Sequence, residues 1–145
     1  LTDVTGVQTC ALPILHLHGE LTKVRSTSDP SLVYDIGYKE IKAGDLCEKG
    51  SQLRPHIVWF GEAVPMMDEA VRITSSAEIF VVIGSSLNVY PAAGLISYAP
   101  KSAALWLIDP NDVFVPINKI NVIKEKASDG VAILTEKLLK LYNIT

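Results

Sequence analysis

In the second half of the chain, short unbroken apolar runs alternate with stretches whose apolar residues recur every three or four positions. Ile79 to Ile83 is one such run and ends in Gly-Ser-Ser. "AALWLIDPN", Ala103 to Asn111, is another, closed by a turn, and "NVIKE", Asn121 to Glu125, is a brief third. In the first two, unbroken apolarity over so few residues predicts strands buried on both faces, as in a parallel sheet; the third predicts only a brief strand. "PMMDEAVRITSSA" predicts a helix. Pro65 suits its first turn, Asp68 and Glu69 its N-terminal end, and Met67, Ala70, Val71, Thr74 and Ala77 share a face. "PAAGLISYA" predicts a short helix. "SDGVAILTEKLLKLY" predicts the last one, with Ser128 as N-cap and Val131, Leu134, Leu138 and Leu141 as its apolar stripe. This alternation is the βαβ rhythm of an α/β, doubly wound parallel sheet.

The first half reads differently. In "LHLHGEL", Leu15 and Leu17 alternate with His16 and His18, the period of a strand, and Gly19 ends the run. Arg25 to Gln52 is polar and turn-rich, and predicts a small module outside the main sheet at about residues 25–53. "PHIVWFGE" predicts a short strand at Ile57 to Phe60, stopped by Gly61. Leu1 to Ile14 has no period and no charged flank of a signal peptide. It reads as non-native or disordered, and Cys10 within it carries nothing.

Composition narrows the function classes. A net charge of -3 argues against a nucleic-acid surface. No apolar run reaches the roughly 20 residues that cross a bilayer. Two cysteines, Cys10 and Cys47, do not make a disulfide scaffold or a four-thiolate zinc site, and they fit a reducing cytoplasm. A parallel sheet presents its ligand site at the carboxyl ends of its strands. Those ends read His18-Gly19, Phe60-Gly61-Glu62, Gly84-Ser85-Ser86 and Asp109-Pro110-Asn111. At Gly84 a backbone without a Cβ admits close approach of a ligand, and two hydroxyls follow. By itself that segment also reads as a plain strand-to-helix turn.

Taken in order, "HLHGEL", "LRPHIVWFGE", "VIGSSLNVYPAAGL" and "ASDGV" resemble the sirtuin family of NAD-dependent protein deacylases, from about Leu15 to near the C-terminus. The wording is nearest the bacterial, class III type. The resemblance implies a Rossmann-like parallel sheet, with NAD consumed as co-substrate and acyl-lysine proteins or peptides as partners. It implies His18 as the catalytic histidine and Gly84, Ser85 and Ser86 as the NAD-binding turn. Ala127 and Ser128 match the loop at the adenine end. Val58 to Glu62 (Val58, Phe60, Gly61, Glu62) and Leu87 to Tyr90 (Leu87, Val89, Tyr90) match two stretches that pair with the peptide as an added strand. In the family's reaction the acyl oxygen attacks the nicotinamide ribose, and the histidine serves as general base on a ribose hydroxyl. An imidazole suits that task because it accepts and returns a proton near neutral pH. Nicotinamide, deacylated lysine and O-acyl-ADP-ribose are the products.

Three departures from the family pattern stand out. The residues matching its N-terminal half are missing: the Gly-Ala-Gly loop, the Asn-Asp pair at nicotinamide, and the Tyr and Arg that read an acidic acyl group. The expectation is a partial catalytic domain over residues 15–145, inactive as given and a monomer when complete. The zinc cysteines are absent from Arg25 to Gln52, so no zinc is expected. Where the family has Asn-x-Glu, this chain has "LIDPN", and Asp109 is favoured over Leu107 as the ribose-side group. His16 and His56 read as satisfied framework histidines, Trp59 as core or groove wall, Glu62 as a turn partner and Cys47 as an inert thiol. The rival functions are a catalytically dead acyl-peptide or nucleotide binding module, and an ADP-ribosyl transferase on the same site.

Overall fold

The structure, a computed structural model, describes residues 14–115, 117 and 119–143. The expectation for the first fourteen residues therefore lies, but for Ile14, outside the described residues. The chain divides into two compact units, Leu1–Met66 and Met67–Thr145.

The first unit is built on an antiparallel sheet of order β2-β1-β3, with β1 at Gly19–Ser26, β2 at Val33–Asp35 and β3 at Leu53–Ile57. Its apolar interior is small. Among the described residues, Val24 and Cys47 are its buried apolar residues and Ser26 is buried with them. Hydrogen bonds carry the rest. The Ser26 hydroxyl accepts from the backbone N–H groups of Ser28 and Asp29 and meets the Cys47 thiol at 3.3 Å. Ser28 Oγ donates to Ser51 Oγ at 2.6 Å, and Lys49 Nζ pairs with Asp29 at 2.7 Å. The turn-rich stretch thus closes on itself through hydroxyls and one ion pair.

Two expectations fail here. Leu15 to His18 is not a strand. The leucines are half-buried and the histidines exposed, as the alternation requires, but the residues form a turn and Gly19 opens β1 instead of ending a strand. The second strand runs over Leu53–Ile57, not Ile57 to Phe60. β1 offers partners from Ser26 back to Gly19, and Gly19 pairs with Ile57. Beyond that point β1 ends, so Val58 to Phe60 leave the ladder. Pro55 is tolerated because, among the described residues, β3 is an edge strand.

The second unit carries the parallel sheet, in order β4-β5-β6: Ile79–Ile83, Ala104–Ile108 and Asn121–Ile123. Helix α1, Met67–Thr74, packs against a 3-10 helix at Ala92–Tyr98, burying Ala70, Thr74, Ala93 and Ile96. Helix α2, Ala127–Leu141, supplies Leu134 to a core of Trp106, Ile108 and Ile123. Leu105 and Leu107 alternate with Trp106 and Ile108, and all four are buried, so β5 is covered on both faces. β4 is not, contrary to expectation. It pairs only with β5 among the described residues, its residues are half-buried, and Ile83 is 45 % exposed.

Helix α2 corrects two further details. Its N-cap is Lys126, whose extended backbone (ψ 155) turns the chain into the helix, and no side chain caps it. Ser128 lies inside the first turn. The apolar seam runs Gly130, Leu134 and Leu138, whereas Val131 and Leu141 are exposed. The seam sits at Gly130 because a Cβ there would stand 2.3 Å from Ile108 Cγ2, which sets how closely helix and strand approach.

Candidate functional site

In the first unit the candidate residues gather where β1 begins. His18 is exposed, and its carbonyl accepts a hydrogen bond from Val58 N–H at 2.9 Å. Gly19 follows with φ 85, and a Cβ on it would lie 2.0 Å from the carbonyl oxygen of His56. Only glycine fits so tight a backbone crossing. The main chain of His18 is therefore pinned while its ring is exposed. Beside it lies a cleft of about 270 Å³, lined by Leu15, Leu17, Arg25, His56 and Val58 among others.

The segment after β3 is organised by Glu62. Its carboxylate binds Arg25 at 3.1 Å, both Nη atoms of Arg54, and the backbone N–H of Trp59 at 3.0 Å. The Arg54 hydrogen bonds, with Trp59 N–H and Arg25 adding, hold the Glu62 pKa well below the usual carboxylate range, at about 2. Arg54 also stacks on the Trp59 ring, 4.5 Å from its centroid. Trp59 is 53 % exposed and Phe60 98 % exposed, so neither is core; they and Gly61 form the outward tip of the turn. His56 is not a satisfied histidine. Its Nδ1 is buried without a hydrogen-bond partner, and burial together with the nearby Arg25 lowers its pKa.

In the second unit the candidates line the carboxyl edge of the parallel sheet. Ile83, Ile108 and Ile123 stand level across the three strands. Gly84 follows the first with φ 62, donating its N–H to the Ile108 carbonyl, and a Cβ there would meet nothing within 4 Å. Ser85 Oγ accepts from Leu87 N–H, and Leu87 itself has a positive φ of 54. Asp109 follows Ile108. It is buried, and its Oδ1 accepts from Asn111 backbone and side chain at 2.8 and 3.0 Å, which fixes the turn. Gly130 against Ile108 brings the start of α2, with Ala127 and Ser128, to the same edge. Val89 and Tyr90 are exposed just before the 3-10 helix.

These groups fit a dinucleotide: an open glycine turn, two hydroxyls, an acid just after the central strand and a helix start, all at one sheet edge. They do not fit zinc. No cluster of three or more His, Cys, Asp or Glu side chains placed to hold a metal ion exists among the described residues. The one thiol there, Cys47, is hydrogen-bonded to Ser26, which lowers its pKa. Sequence reasoning missed the two arginines on Glu62 and the packing role of Gly130. "RST" and "LRP" offered charge but no register, and only the β1–β3 pairing sets Arg25 opposite Arg54.

Residues 1–91 match the model of the Sir2 family. An NAD-dependent protein deacylase of Bacteroides thetaiotaomicron is 50% identical over 135 residues, covering 87% of this chain and 56% of that protein. A Helicobacter pylori protein of the same description is 47% identical over 130 residues, covering 88% and 56%. Among solved structures, the ADP-ribose complex of a Sir2 homologue variant superimposes with TM-score 0.78 at 30% identity, over 93% of this chain and 56% of that one. The NAD complex of a Sir2 homologue gives TM-score 0.73 at 33% identity, over 87% and 51%. The chain thus spans about half the length of the relatives it matches. On the family match and the fold they share, the chain belongs to the Sir2 family.

Proposed function

We propose that the chain is part of an NAD-dependent protein-lysine deacylase of the deacetylase or desuccinylase type, acting on acyl-lysine proteins or peptides in the cytoplasm. The observation that carries the reading is the deacylase relative identical at 50% of aligned positions, backed by a histidine whose backbone is pinned and whose ring is exposed. Residues 15–145 supply part of the catalytic domain, and residues at about 25–53 a zinc-free module. Among the described residues no helix is long and apolar enough to cross a membrane.

His18 is the general base. An imidazole held at a fixed main chain accepts a hydroxyl proton and later returns it. Gly84, Ser85 and Ser86 take the dinucleotide through backbone N–H groups and hydroxyls, Asp109 faces its ribose side, and Ala127 and Ser128 its adenine end. NAD, when bound, supplies an electrophilic ribose carbon from which nicotinamide departs. Val58, Phe60, Gly61 and Glu62, with Leu87, Val89 and Tyr90, line up the peptide. In the first of these stretches the Val58 and Trp59 N–H groups are already taken, which leaves Phe60 and Gly61 at the tip for pairing.

The test joins the chain to the residues its relatives carry beyond the match. It follows nicotinamide and free lysine released from acetyl- and succinyl-lysine peptides. His18→Ala should lower turnover by about 10²–10⁴-fold, the effect of a lost acid–base group. Turnover near that of the unaltered protein would overturn the assignment of His18. Nicotinamide release without free lysine would favour the transferase alternative.

A further inference from the structure

We propose that Glu62 is a positioning residue: clamped by Arg25 and Arg54, it sets the Trp59–Glu62 turn and, through Ile57 and Val58, the backbone of His18. Its catalytic meaning rests on the deacylase reading, whereas its geometry lies wholly within the first unit.

Each link is a hydrogen bond. Glu62 Oε2 accepts from Arg25 Nη2 at 3.1 Å, Arg54 Nη2 at 3.0 Å and Trp59 N–H at 3.0 Å. The Glu62 N–H donates back to the Trp59 carbonyl at 3.0 Å, so the turn is closed from both ends. The same two guanidinium groups donate to the Ile57 carbonyl, at 3.3 Å from Arg25 and 3.2 Å from Arg54. Residue 58, next in the chain, donates to the His18 carbonyl at 2.9 Å. One carboxylate thereby ties residues 57, 59 and 62 together, and residue 58 among them holds residue 18.

The sheet does not need this arrangement for itself. Arg25 and Arg54 stand directly opposite each other across β1 and β3. Like charges at such a pair repel, and two apolar or oppositely charged residues would serve the ladder better. The pair makes sense when both cations converge on one carboxylate and one carbonyl. The side chains are also sheltered, Arg25 at 12% and Arg54 at 20% exposure, so the clamp is screened less than a surface pair. A general base tolerates little misplacement, and a rigid support around its backbone is what such a residue requires.

Amide hydrogen exchange on the 145-residue chain tests the clamp without requiring turnover. Titration with an acetyl-lysine peptide then reads its bearing on substrate. In Glu62→Gln, exchange at Val58 and Trp59 should rise about tenfold or more, as a charge-assisted bond is lost. Amides of β4 and β5 should stay as they were. Peptide affinity should fall in step. Unchanged exchange at Val58 and Trp59 overturns the proposal. If Glu62→Gln unfolds the chain, Arg54→Lys decides, because it keeps the charge but loses the forked contact with Glu62 and Ile57. The same local loss supports the clamp; unchanged exchange, or global unfolding in this variant too, overturns it in favour of a purely structural role. If the unaltered chain binds no acetyl-lysine peptide, that counts against the deacylase reading, and the exchange data still decide the clamp.

Discussion

The two units solve the same problem with opposite means. The first buries Val24, Ser26 and Cys47 and is otherwise held by hydroxyl networks and ion pairs around Asp29 and Glu62. The second buries four consecutive residues of β5 from Leu105 to Ile108, then seats α2 on them. The first should therefore respond to charge and pH, and the second to side-chain volume. The difference also bears on function. A small polar unit offers main-chain groups and turns at defined places, while a parallel sheet offers a rigid edge on which a dinucleotide turn can sit.

The largest expected effect strikes a tight backbone crossing in the first unit, at Gly19. Gly19→Ala puts a methyl 2.0 Å from a backbone oxygen at a φ of 85. The sum of a positive-φ penalty and overpacking against main chain is about 4 kcal/mol. Since His56 O cannot move without breaking β1 from β3, the first unit should unfold while the second persists. Circular dichroism and exchange, resolved by unit, would check this. A loss shared equally by both units would mean that they are one cooperative body.

The counterpart in the second unit is Ile108→Ala. Ile108 is fully buried, contacts Gly130 and lies level with the candidate dinucleotide turn. Removing its side chain should cost about 3 kcal/mol in denaturant unfolding. The first unit should keep its exchange protection. A change under about 1 kcal/mol would show that α2 collapses into the space and that the core is less demanding than its burial implies.

How much of this contrast was legible in the sequence depends on the kind of signal. The second unit was readable because a buried strand leaves a compact apolar run and a helix leaves a stripe. Its errors lie in burial and at a boundary: β4 is half-exposed because it pairs on one side only among the described residues, Val131 and Leu141 face away from the seam, and Ser128 misses a cap that depends on one backbone dihedral. In the first unit the alternation of Leu15 to His18 was real in burial and wrong as an element, since a two-residue period is also satisfied by an extended approach to a turn. His18 was therefore picked by a strand-end argument that the structure does not uphold, and its place rests on Gly19 and Val58 instead. The Glu62 clamp was invisible because its parts lie 37 residues apart and meet only through register.

Acid should separate the units further. Glu62 and Asp29 both titrate at about 2 in the folded chain, Glu62 chiefly through Arg54 and Asp29 chiefly through Lys49. A carboxylate whose folded pKa is depressed stabilises above its ordinary value, and that contribution is lost as pH falls toward the folded value. For these two the window is from the ordinary 3.8 to 4.5 down to about 2. His56 acts in the same direction at milder pH. Its folded pKa is lowered from 6.5, so stability present above that value declines as pH falls below it. Among the described residues of the second unit the one such depressed carboxylate is Glu69, paired to Arg72 on an exposed helix face, where pairs contribute little. Thermal melts from pH 7 to 2 should show the first unit weakening ahead of the second. Simultaneous loss would remove the polar-against-apolar distinction.

The smallest expected effect is that of metal removal, and its smallness is the point. The Sir2 resemblance implies a zinc site whose cysteines this chain lacks, and the first unit closes the same stretch by other bonds. Ser26 Oγ takes two backbone N–H groups and the Cys47 thiol, Ser28 reaches Ser51, and Asp29 takes Lys49. Every one of these contacts joins residues 26–29 to residues 47–51 or organises one of those two turns. Chelation should thus leave the melting temperature unchanged, and elemental analysis should find no stoichiometric zinc. Ser26→Ala supplies the contrast. Ser26 is only 1% exposed, so the change strips the acceptor from two amide groups at a buried site and should cost about 1–3 kcal/mol. One zinc per chain, or a melting temperature that falls with EDTA while Ser26→Ala is silent, would show that a metal and not the hydroxyl network joins the two turns.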